Sequence, residues 1–137
     1  MLSGCVHNQV GSARNAGIYA SKAARSAESA LSAVSTVQMV ADAASDGKVF
    51  GSFASVAIDQ QEDAITEIAQ LFRSIQPPDD ESVELRDELG TMLDAARDHI
   101  AAVRIAVRRG DLDQAADVAA PLSDDADQLE AFSEAHK

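Results

Sequence analysis

The chain has no tryptophan, one tyrosine and four phenylalanines, so aromatics make up only 4% of its 137 residues. A core built from this composition cannot rest on large flat rings and has to be filled by aliphatic and small side chains. The single cysteine, Cys5, excludes an internal disulfide. Proline occurs only at 77, 78 and 121, which leaves long stretches free of the strongest helix breaker. No run of 18 apolar residues occurs, so no segment reads as a membrane-spanning helix. Cations are scarce: 11 Lys and Arg face 23 acids, for a net charge of −12. Such a surface repels a phosphate backbone, which disfavours nucleic acid as a partner.

Alanine fills the space these residues leave, with 27 copies. It has the highest helix propensity and loses no side-chain entropy on ordering. The composition therefore predicts helices packed closely through small side chains. A chain of this length fits one domain that buries roughly two thirds of its unfolded surface. The charge is uneven. Residues 1–46 carry three cations and three anions, whereas residues 111–137 set eight acids against Lys137.

The spacing of apolar residues predicts four helical segments. Over about Asn8 to Ser45, the positions Val6, Val10, Ala13, Gly17, Ala20, Ala24, Ala27, Leu31 and Val34 alternate by four and three, a sustained coiled-coil-like seam. Over about Val49 to Ile75 the seam is Ala54, Ala57, Gln61, Ala64, Ile68, Leu71 and Ile75, with Ile58, Ile65 and Phe72 beside it. Over about Asp80 to Arg109 it is Leu85, Leu89, Met92, Ala96, His99, Val103 and Ala106, flanked by Leu93, Ile100 and Val107. The last segment carries Leu112, Ala115, Ala119, Leu122, Ala126 and Leu129, then Phe132. Gly47 and Gly110 suit left-handed helix stops, Pro77-Pro78 ends the second segment, and Asp111 reads as the N-cap of the fourth. Pro121 predicts a kink or a restart there, with Ser123-Asp124-Asp125 placed to cap a second short helix.

Short links between long helices favour antiparallel neighbours. The expected fold is all-α: an antiparallel up-down-up-down four-helix bundle with a long first helix and a Pro-kinked last one. A helical hairpin that completes its core by dimerising is the alternative. Residues 1–12 read as an N-terminal tether and 13–137 as the bundle domain. The neutral Ala/Ser-rich start of the first helix, near residues 8–20, reads as a stalk projecting past the bundle, or as a surface for a partner helix.

Leu2-Ser3-Gly4-Cys5 resembles the lipobox of bacterial lipoproteins. The resemblance implies cleavage before Cys5 and a diacylglyceryl group on its thiol, anchoring the chain to a membrane from outside the cytoplasm. A small residue at position 4 and a thiol nucleophile at 5 suit that chemistry. Acyl chains contribute roughly 0.8 kcal/mol per buried CH₂. Only Met1 precedes Leu2, whereas a signal peptide places charged and apolar parts ahead of the lipobox. The anchor therefore implies a start upstream of Met1, and the competing reading is a free terminal cysteine in a cytoplasmic protein that starts at Met1. With its heptad-like run from Ala13 to Val34, its Arg-Asp-rich third helix and Arg109-Gly110-Asp111-Leu112-Asp113, the chain is similar to small uncharacterised Ala-rich lipoproteins of actinobacteria. That resemblance carries no activity with it.

Candidate chemistry is sparse. His99, on the seam of the third helix, could be a metal ligand or proton relay, but a di-metal bundle needs Glu-x-x-His and the residue three before His99 is Ala96. A hydrogen-bonded boundary histidine is the better reading. Gln61 and Gln38 fall on seam positions and read as register-setting polar residues. His99 and Gln61 together form the candidate polar core. The acids at 111, 113, 117, 124, 125, 127 and 130 lack the ligand spacing and glycine of a calcium loop and read as caps and solvated faces. No Gly-x-Ser-x-Gly turn, Cys–His pair or Gly-rich phosphate loop occurs. No catalytic residue, metal site or cofactor is expected. The expectation is a non-enzymatic envelope lipoprotein, a binding or structural bundle tethered at Cys5 to membrane lipid, with an unidentified protein partner, as a monomer or a helix-mediated dimer. A soluble cytosolic interaction bundle and a small-ligand or metal binder around His99 and Gln61 are the alternatives.

Overall fold

Asn15 starts the described part of the chain. Its backbone is extended and its side chain accepts the Ile18 amide at 2.9 Å, so the first helix opens at Ala16. The expected start at Asn8 lies outside the described residues. The computed structural model describes residues 15–137, which form α1 (Ala16–Ser45), α2 (Gly51–Ser74), α3 (Asp80–Arg108), the short α4 (Ala115–Val118) and α5 (Leu122–His136). A 3-10 turn, Leu112–Gln114, precedes α4. No strand occurs among the described residues, and none of their helices is long and apolar enough to cross a membrane.

The helix ends follow local chemistry. Gly47 and Gly110 take φ of 70° and 83°, the left-handed region where a Cβ is strained. At each, the next residue's amide reaches back to close the helix: Lys48 N–H to the Ala43 carbonyl at 2.9 Å, and Asp111 N–H to the Ala106 carbonyl at 3.0 Å. Asp79 caps α3, accepting the Ser82 amide at 2.8 Å. Hydrogen bonds from the Ser82 hydroxyl and then its amide hold the Asp79 carboxyl below its ordinary range. Asp111 is not the side-chain cap it was expected to be. Its backbone closes α3, and at φ −80°, ψ 51° it lacks the extended conformation of an N-cap. Ser45 does that work from α1 instead. Its hydroxyl accepts the Ala116 amide at 2.8 Å and donates to the Leu112 carbonyl at 3.0 Å.

The segment after Gly110 contains two helices, α4 and α5, separated by a short turn. Residues 119–121 form a turn, and Pro121, already in α geometry, leads into α5. Ser123 and Asp124 are exposed and cap nothing, while Asp125 is buried.

α1 packs against all four other helices. Its buried residues include Tyr19, Ala23, Ala24, Ala27, Ala30, Val34, Val37, Ala41 and Ala44, so the expected seam holds at Ala24, Ala27 and Val34 and fails at Gly17, which is exposed, and at Ala20 and Leu31, which are only partly buried. Because Tyr19 is fully buried, α1 is inside the bundle from its first turn, and no projecting stalk exists among the described residues. On α2 the flanking stripe is the true core. Ile58, Ile65 and Phe72 are buried while Leu71, expected on the seam, is 69% exposed. Rotation toward the larger side chains removes more apolar area from water, at roughly 25 cal/mol per Å². α3 buries both of its stripes, including Leu89, Ala96 and Val103 with Leu93, Ile100 and Val107. One cluster, from Tyr19 to Phe132, joins the helices.

Candidate functional site

Three features of the described residues carry chemistry. The first joins α3 to α5. His99 is partly exposed, and its Nδ1 lies 2.5 Å from Oδ2 of Asp125, whose side chain is only 7% exposed. A buried carboxylate is costly unless paired, and with Nδ1 protonated His99 supplies the partner. Asp125 thereby fixes which imidazole nitrogen carries the proton. The sequence reading assigned Asp125 to a solvated cap. Its signal was register: Asp125 falls in line with Leu122, Leu129 and Phe132, where a core residue belongs. Gln61, the other member of the expected polar core, is half-buried on α2 and shares no hydrogen bond with His99 among the described residues. Gln38 is likewise half-buried on α1.

The second feature is a ladder of ion pairs between α2 and α3. Arg108 donates to Asp59 at 2.7 Å, Arg104 to Glu62 at 2.5 Å and Arg73 to Asp94 at 2.8 Å. As the α2 position rises the α3 position falls, so these helices run antiparallel with a set register. The signs reverse along the ladder, acids on α2 at one end and an arginine at the other, which penalises a slipped pairing. At the Arg73 end the helices frame a cleft of about 460 Å³ lined by Arg73, Arg86, Asp87, Gly90, Thr91 and Asp94. Gly90 lets Arg73 lie across α3: the guanidinium donates to the Gly90 carbonyl at 3.3 Å, and a Cβ there would sit 3.3 Å from Nη2. Among the described residues Arg86 pairs only with its neighbour Asp87, at 3.4 Å. The cleft's cations are thus matched by its own acids. Near it, the Tyr19 hydroxyl is buried without a hydrogen-bond partner among the described residues. Burial pushes its pKa up, Arg86 partly opposes this, and Asp87 adds to it.

The third feature is apolar. Phe50, Phe53 and Val56, where α2 begins, are 85%, 59% and 58% exposed. Two of the chain's four phenylalanines therefore stand uncovered within two helical turns. Scattered exposed side chains are ordinary, but clustered aromatics mark contact surfaces.

Among the described residues, no group of three or more His, Cys, Asp or Glu side chains is placed to hold a metal ion. Cys5, the expected lipidation site, and His7 lie outside the described residues. No protein-family model matches the chain, and no curated protein or solved structure shows significant similarity to it.

Proposed function

We propose that this chain is a cell-envelope lipoprotein that acts by binding rather than by catalysis: a helical module held at the membrane through a lipid on Cys5. In this reading α4 and α5 together form the fourth rod of an up-down-up-down bundle, with the break at Pro121 as its bend. The binding half rests on one observation, the uncovered Phe50, Phe53 and Val56 on an otherwise acidic protein. The anchor rests on the resemblance at Leu2-Ser3-Gly4-Cys5. The two are compatible in length. α1 is about 45 Å long at ~1.5 Å per residue, whereas the eleven residues from Cys5 to Ala16 reach at most about 40 Å. An anchor at Cys5 therefore holds the start of α1 within about 40 Å of the membrane and leaves its far end, where α2 begins, free to face a partner.

Intact-mass measurement of the protein extracted from its native cells tests the anchor. A chain that begins at Cys5 and carries a diacylglyceryl adduct is the expected result. An unmodified chain beginning at Met1 in the aqueous fraction refutes it.

A further inference from the structure

The uncovered apolar turn is one end of a longer pattern. Along α2 the positions Phe53, Val56, Gln60, Asp63, Glu67 and Leu71 are all exposed, and they follow spacings of three and four residues. This is a second helical stripe, facing away from the core that Ile58, Ile65 and Phe72 fill. Its ends are apolar and its middle is acidic. Asp59 and Glu62 on the same helix are paired with arginines of α3. Asp63 and Glu67 have no basic side chain within 4.0 Å among the described residues. Like charges four apart on one helix destabilise it by a few tenths of a kcal/mol, and the arginines nearest Asp63, Arg104 and Arg108, which line the same hollow, are already paired with Glu62 and Asp59.

We propose that this face of α2 docks a basic amphipathic helix from another protein, its apolar side chains against Phe53, Val56 and Leu71 and its Lys or Arg residues opposite Asp63 and Glu67. The inference rests on reading the bundle as a binding module, but not on the anchor at Cys5. Charge complementarity selects this occupant over three others. A second copy would set Asp63 and Glu67 against the same acids in register if parallel, and would bring the two Asp63 carboxylates together near the centre if antiparallel with the apolar ends matched. Residues 1–14 of the chain contain one cation, Arg14, too few to neutralise both acids. An anionic lipid surface would be repelled by the acidic stripe and by the net charge of −12. A basic helix gains from every position: the ends exclude water, and the middle sets register and rejects acidic partners.

The test uses the full chain without its lipid and two synthetic peptide helices. Both carry leucines at three-and-four spacing, one with lysines and the other with glutamates flanking the stripe. Binding is read by fluorescence anisotropy at about 0.1 M salt, where charges beyond about 10 Å are screened. The basic peptide should bind about tenfold or more tighter than the acidic one. Phe53→Ser with Val56→Ser should weaken it by a similar factor, and Asp63→Lys with Glu67→Lys should reverse the preference, while circular dichroism reports an unchanged helix signal in all variants. Equal binding of the two peptides, or indifference to these substitutions, overturns the proposal. So does self-association in sedimentation that Phe53→Ser abolishes, or saturable binding to phosphatidylcholine vesicles. Selective peptide binding without an acyl group on Cys5 would remove the anchor alone. An acyl group without selective binding would remove the docking face alone.

Discussion

α1 and α2 are adjacent helices with the same three-and-four rhythm, yet they spend it differently. α1 buries 11 of 30 residues, mostly alanine, and touches every other helix. α2 buries five of 24, three of them Ile58, Ile65 and Phe72, and points Phe53 and Val56 at solvent. Small side chains let α1 serve as the shared axle, because neighbouring backbones can approach from several sides at once. α2 is held along one edge by a few large side chains and by its ion pairs to α3. Periodicity reveals that a helix has a stripe. Side-chain volume decides which stripe goes inside.

The largest expected effect comes from that volume. Phe72 is fully buried, its ring 5.7 Å from that of Tyr19. Phe72→Ala should cost about 3–5 kcal/mol in a urea melt. A loss below about 1 kcal/mol would mean that α2 is not fastened by its large side chains. Next comes a place where a seam is held by charge instead of volume. His99→Ala strips Asp125 of its partner and should cost about 2–3 kcal/mol, less than a fully buried pair because His99 is 38% exposed. His99→Ala combined with Asp125→Leu should recover much of that loss, which chemical denaturation of both variants would reveal.

On α1 the sensitivity runs the other way, toward added volume. Ala27 has no exposed surface, and Ala27→Leu should cost about 1–3 kcal/mol by overpacking. The same exchange at Ala20, which is only partly buried, should cost less. If both are tolerated alike, the close approach of backbones around α1 is not what holds it.

These contrasts also explain what could be read from sequence. The helices, the stops at Gly47 and Gly110 and the all-α class were legible because helix propensity, left-handed glycines and proline act locally, whereas the side-chain caps expected at Asp111 and at Ser123-Asp124 did not form. The phase was not legible throughout α1 and α2, whereas on α3 and in the last segment the expected Leu89, Ala96, Val103, Ala115, Ala119, Leu122 and Leu129 are buried. In the alanine-rich α1, Ala20, Ala23, Ala24 and Ala27 look equally apolar, and only the neighbouring helices decide that Ala20 is the one left partly exposed. On α2 the signal was present in residue size but was outvoted by spacing. Asp125 was misread because local rules favour an acid near a helix start, while its register with Leu122 and Leu129 pointed inward. His99 was recognised as a seam residue, but its partner lies 26 positions away, and a pair across two helices needs the fold to be found.

Tyr19 gives a smaller effect and an opposite sign. Its buried hydroxyl has no partner among the described residues, so Tyr19→Phe keeps the packing and removes an unsatisfied group, which should raise stability by about 1 kcal/mol. The pH dependence follows from the raised pKa. The folded state favours the neutral phenol, so this stability is fully present below the ordinary tyrosine value near 10 and is lost as pH rises from there through the folded-state value. Thermal melts between pH 9 and 11 should show a steeper alkaline decline for the native chain than for Tyr19→Phe. Parallel declines would mean that the hydroxyl is satisfied in solution.

The smallest expected effect tests the comparison most directly, because it concerns the same residue type on the same helix as the largest. Phe53 is 59% exposed and lies outside the core that α2 shares with its neighbours. Phe53→Ser removes a large apolar side chain from water rather than from packing, so the melting midpoint should move by no more than the equivalent of about 0.5 kcal/mol. Solubility should improve as the uncovered surface shrinks. Phe72 and Phe53 would then differ by several kcal/mol under similar truncation, which is what one inward and one outward stripe on a single helix require. A loss of 2 kcal/mol or more at Phe53 would show that the turn is covered in solution by part of the chain itself, and α2 would have no free face to offer.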